Sequence, residues 1–134
     1  MPNVTDLHNL NGANLAVILD RQHSEIKQKQ KNLRASVVEG MGMNKIVACA
    51  KDLIDTTLDH FKSEECAMEI SRFTGLLAHK HLHDGMAKSV NEIWSDLEHR
   101  KINAAMQLLT FFDERLTFHL DWEDGPFGRK LDDK

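Results

Sequence analysis

Tyrosine is missing from the chain, and proline occurs only as Pro2 and Pro126. Proline removes a backbone donor and clashes with the preceding turn, so nothing of that kind interrupts a helix between those two positions. Cysteine is scarce too. Cys49 and Cys66 are too few for a disulfide framework and read as reduced thiols in a cytoplasmic protein. Apolar runs such as Leu15 to Leu19 fall far short of the roughly 20 residues that cross a bilayer. The opening MPNVTDLH has neither a basic nor an apolar segment, so no signal peptide and no membrane partner are expected. Lys and Arg number 17 against 21 Asp and Glu, and a net charge of −4 argues against nucleic acid as a partner. What is present suits one globular domain: 134 residues, 41% hydrophobic and 28% charged, which excludes a disordered or fibrous chain. One residue type is over-abundant. There are eight histidines.

Strands are not indicated, because no stretch alternates strictly. Asn11-Gly12 and Asp84-Gly85 have hairpin-turn chemistry, but their flanks lack the alternation. Steps of three and four residues instead trace four helical stripes. The first helix, about 14–38, carries Leu15, Leu19, Ile26, Leu33 and Val37. The second, about 44–68, carries Ile46, Ala50, Leu53 and Thr57. The third starts near Thr74 and carries Leu76, Met86, Val90, Ile93 and Leu97. The fourth, about 101–120, carries Ile102, Ala105, Leu109, Phe112 and Leu116. The expected fold is all-α, an antiparallel up-down four-helix bundle forming a single domain over 1–134. Residues 1–13 read as a loose arm and 125–134 as a polar tail, ending GRKLDDK.

The gaps in these stripes hold polar residues. His23 stands between Leu19 and Ile26; His60 and Glu64 continue past Thr57; His79 and His83 stand between Leu76 and Met86; His119 ends the fourth stripe. His81 and His99 fall off the stripes, and His8 precedes the first helix. A single histidine on an apolar face is ordinarily a hydrogen-bonded core residue. Five on four helices, with a carboxylate that is almost never buried alone, are not. Their heights agree as well. Residues level on neighbouring antiparallel helices are equidistant from the turn between them. His23 and His60 centre on Gly40-Met41-Gly42, the strongest turn signal in the chain. His60 with His83, and Glu64 with His79, centre between Ser71 and Arg72; His83 and His119 centre on Lys101. One level of the bundle therefore gathers a metal site.

Imidazole and carboxylate without thiolate suit iron, manganese or zinc. Six such donors exceed one tetrahedral zinc and point to two metals. A zincin needs Glu directly after the first histidine of its pair, where Lys80 stands. A ferritin-like oxidase needs two Glu-x-x-His motifs, and the chain has none.

Asp20-x-x-His23, His60-Phe61-x-x-Glu64-Glu65, His79-x-x-x-His83 and His119-x-x-x-x-Asp124 follow one another over about 15–127. In this order and spacing the chain resembles the hemerythrins, in particular the bacterial ones. The resemblance implies Asp124 as a second bridging carboxylate beside Glu64, which periodicity does not supply. It also implies two irons bridged by an oxo or hydroxo group, one held by His79, His83 and His119 and the other by His23 and His60. Five imidazoles, two bridging carboxylates and the bridging oxygen leave one octahedral position open, on the iron of His23 and His60. The implied function is reversible dioxygen binding rather than catalysis, in an oxygen- or redox-sensing or oxygen-carrying domain. A fused or partner signalling domain is compatible with it. Ile26, Phe61 and Leu120 neighbour the ligands and are the candidate lining of the dioxygen pocket. The alternative is a di-iron oxidase or peroxidase, or an iron-storage or detoxification protein.

The chain departs from the family pattern at Arg115, where tryptophan is usual, and at Asp121, where an apolar residue is usual. Phe73-Thr74 stands where Tyr-Pro is often found, and an aromatic ahead of the first helix is missing. Charge near the pocket would admit water and shorten the life of bound dioxygen. Alternatively, Arg115 and Asp121 pair with each other on the outer face and leave the pocket dry.

Overall fold

A computed structural model describes residues 12–101, 103–125 and 127 of the chain, with the side chains of 12, 13 and 122 excepted. Among them are four helical segments and no strand, so the fold is the expected all-α bundle. Helix α1 spans Gly12–Val38, α2 Met43–Ile70 and α3 Leu76–Glu98. Helix α4 begins as Ala104–Phe111 and continues through two π-helical turns, Phe112–Leu116 and His119–Glu123. His8 lies outside the described residues, as does the side chain of Ile102. None of the described helices is long and apolar enough to cross a membrane.

Short connections make successive helices antiparallel, and the first three helices end alike. After α1, Met41 N–H bonds Ser36 O and Gly40 N–H bonds Val37 O, with Gly40 at φ 62°. This double bond is the Schellman motif, and glycine takes its left-handed position without strain. After α2 and α3 the same pairs recur, but Arg72 (φ 54°) and Arg100 (φ 56°) hold the left-handed position. Lys101 donates back to Asp96 O, so it belongs to the end of α3. The fourth helix therefore starts at Ala104 and not at the expected Lys101.

Two apolar clusters fill the interior. The larger contains Ile26 and Leu33 of α1, Ala50 to Phe61 of α2, Met86 to Leu97 of α3, and Ala104 to Leu120 of α4. The smaller contains Leu15, Leu19, Cys66, Ala67, Met68 and Phe127, with Phe73 and Leu76 against it. On every helix the histidines and acids of the stripes fall between the two. Phe127 corrects the sequence reading: counted with the polar tail, it is fully buried and meets Phe73 at 5.1 Å between ring centroids. The first helix likewise starts at Gly12, inside the arm expected to be loose.

Candidate metal centre

Each helix delivers its polar residues to this layer through its own core-facing stripe. Helix α1 brings His23, α2 His60 and Glu64, α3 His79 and His83, and the end of α4 brings His119 and Asp124. All are buried except His23, which is partly exposed. Their donor atoms fall into two groups, each within 4.8 Å: Glu64, His79, His83, His119 and Asp124 in one, and His23, His60, Glu64 and Asp124 in the other. Both carboxylates belong to both groups. Asp124 turns Oδ1 to His79 (2.8 Å) and His119 (3.0 Å), and Oδ2 to His23 (3.3 Å) and His60 (3.7 Å). Glu64 turns Oε1 to His79 (2.5 Å) and His83 (3.2 Å), and Oε2 to His60 (3.5 Å).

His119 and Asp124 share a face because the backbone between them is a π turn. Asp124 N–H bonds His119 O at 2.9 Å, an i to i+5 closure. An α-helix would leave the fifth side chain about 140° away around the axis, whereas the wider π turn stacks it over the first.

The family model described as the hemerythrin HHE cation-binding domain matches residues 14–131. The chain belongs to the hemerythrin family. No curated protein and no solved structure matches it with significance.

The residues of this hemerythrin domain fit cations on physical grounds. His60 Nδ1 donates to Gln22 Oε1 (2.8 Å), His83 Nδ1 to Glu65 Oε2 (2.8 Å) and His119 Nδ1 to Glu123 Oε1 (3.0 Å). With the proton on Nδ1, each neutral ring aims a lone pair inward from Nε2. Yet the Nε2 atoms of His83 and His119 face one another at 3.0 Å, and those of His23 and His60 at 3.1 Å. For His83 and His119, whose Nδ1 protons are held by carboxylates, this sets lone pair against lone pair, which is repulsive unless a cation or an extra proton lies between. Glu64 Oε1 and Asp124 Oδ2 are buried and face imidazole nitrogens rather than fixed hydrogen-bond donors. Buried carboxylates cost several kcal/mol each unless positive charge faces them, which a cation supplies.

In the metal-free protein, protons take that place. Burial disfavours the charged imidazolium of His60 and His79, but the carboxylates of Asp124 and Glu64 outweigh it and push both up to about 9. Burial and the charge of Asp124 would raise Glu64, yet His60, His79 and His83 hold it down at about 2. Burial would raise Asp124 too, and its histidine neighbours hold it well below the ordinary carboxylate range.

The remaining sequence candidates are placed as follows. Ile26, Phe61 and Leu120 are buried together in the larger apolar cluster beside this layer. Phe61 stacks on His83 at 4.1 Å and meets His119 edge-on at 5.8 Å. His81 and His99 are exposed. The alternative pairing of Arg115 with Asp121 does not form. Arg115 Nη1 donates to Glu123 Oε1 at 2.5 Å, while Asp121 faces Lys27 at 3.6 Å on the exposed surface. Sequence reasoning missed Gln22, Glu65 and Glu123, which hold the Nδ1 atoms. Each stands directly beside a donor in the chain, and that adjacency was the available signal.

Proposed function

We propose that the centre holds two irons and binds dioxygen reversibly at one open position, as an oxygen- or redox-sensing or oxygen-carrying domain. One observation supports this most. The donors divide into three histidines and two, and each carboxylate turns one oxygen to each side. That is the arrangement of two neighbouring cations sharing two bridges. An iron pair would supply two electrons and, on the side with fewer protein donors, a position for a small ligand.

The chain's own residues shape what such a position can do. His23 and His60 provide two histidine donors where the other side has three, so a cation held by them would keep a position for a small ligand. Ile26, Phe61 and Leu120 offer apolar surface on one side of the layer, where they would line the position of a small ligand. Asp121 pairs with Lys27 on the exposed surface and Arg115 is tied to Glu123 behind His119, so neither charge is left without a partner beside the layer, which supports a dry pocket and a bound ligand that can leave as dioxygen. A cytoplasmic setting, alone or beside a signalling domain, fits this reading.

The test is iron quantitation with absorption spectra of the reduced protein before and after air. Two irons per chain and a visible charge-transfer band are expected on oxidation, with dioxygen recovered under vacuum. One colourless zinc per chain, after expression with iron available, would sink the di-iron reading. Dioxygen consumed and not recovered would favour the oxidase or detoxification alternative.

A further inference from the structure

The three side chains behind the donors are not chemically alike. Behind the three-histidine side, His83 leans on the Glu65 carboxylate and His119 on the Glu123 carboxylate. Behind the two-histidine side, His60 leans on the amide of Gln22. Gln22 is itself buried and donates from Nε2 to Ser63 Oγ at 3.2 Å, so its neutral oxygen stays turned to the imidazole. Glu123 is held from the other direction, because the oxygen that accepts from His119 also accepts from Arg115. A carboxylate draws the Nδ1 proton more strongly than an amide does and so leaves Nε2 the richer donor. A richer donor stabilises the higher charge on a metal ion.

We infer that Glu65 and Glu123, the latter locked by Arg115, are positioning residues that make the three-histidine side the stronger electron donor. The two metal positions then differ in reduction potential, and in a half-oxidised pair the ion held by His79, His83 and His119 is the oxidised one. The ion beside His23 and His60, with the open position, keeps its electron. This inference rests on the di-iron reading.

Glu→Gln substitution keeps shape and hydrogen-bond acceptor and removes only charge, so it separates electronic tuning from ring orientation. Iron content, iron affinity and reduction potentials of the iron-loaded full chain are compared across Glu65→Gln, Glu123→Gln, Arg115→Ala and Gln22→Glu. Mössbauer spectra of the half-oxidised state show which ion is oxidised. The two Glu→Gln variants should keep two irons, bind them about 10-fold to 100-fold more weakly, and become harder to oxidise. Arg115→Ala removes the competing cation from the oxygen that holds His119 and should act in the opposite direction, making the pair easier to oxidise. Gln22→Glu places a carboxylate behind His60 and should even out the two ions. Should a Glu→Gln variant fail to fold, Gln22→Glu reads the same asymmetry from the opposite side. Two irons with unshifted potentials across the series would overturn the inference alone. A wild-type chain that takes up no iron would overturn it together with the reading beneath it.

Discussion

Glu64 and Asp124 each sit with one oxygen toward each group of histidines, so removing either leaves both groups without their shared negative charge. Glu64→Ala should therefore lose metal and also stability. Breaking a buried charged network of this kind costs about 3–5 kcal/mol. Metal content and denaturant unfolding read the two effects separately. His81 offers the matched control, being two residues from both His79 and His83, about half a turn away, and exposed on the outer side of α3. His81→Ala should keep its full metal complement. If it loses metal as readily as His83→Ala, the face assigned to α3 is wrong. Asp121 is a second control, since its carboxylate faces Lys27 in solvent. Asp121→Leu should leave both metal content and visible spectrum unchanged.

At the level of elements, legibility followed helical period. Leu15, Leu19, Leu53, Met86 and Phe112 are core residues because an α-helix returns them to one face, and His23, His60, Glu64, His79 and His83 obey the same period. Asp124 does not, because a π turn carries it, and no rule of threes and fours reaches a step of five. It was legible only through family resemblance. Gln22, Glu65 and Glu123 were not read as partners of the donors because each is off the core-facing stripe and resembles a surface residue in type, although each stands beside a donor in the chain. Phe127 was lost among polar neighbours, although it closes the smaller apolar cluster just beyond Asp124. Phe127→Ala should cost about 3–5 kcal/mol and loosen the carboxylate beside it, so that melting temperature and metal retention fall together. The loop glycine is a different case. Gly40→Ala forces a side chain into a left-handed conformation, at a cost of about 1–2 kcal/mol, and should leave metal uptake intact because it lies outside the donor layer.

For the molecule as a whole, the proton load of the metal-free layer sets the pH range of stability. His60 and His79 are raised from 6.5 to about 9, so their contribution is complete below 6.5 and is lost as pH climbs to 9. Glu64 is lowered from 4.5 to about 2, so its contribution is complete above 4.5 and is lost as pH falls toward 2. Thermal melts of the metal-free chain should be flattest between these limits and decline on the alkaline side. Bound cations displace the histidine protons, so the metal-loaded chain should not show that alkaline decline. The same layer also has a consequence in time. Its first donor, His23, leaves the ribosome about a hundred positions ahead of its last, Asp124. At synthesis speeds of roughly 5–20 residues per second, that gap is on the order of 5–20 s. Throughout it the two donor groups lack Asp124, the carboxylate that both share with Glu64. A polypeptide stalled before its final helix therefore has neither group whole.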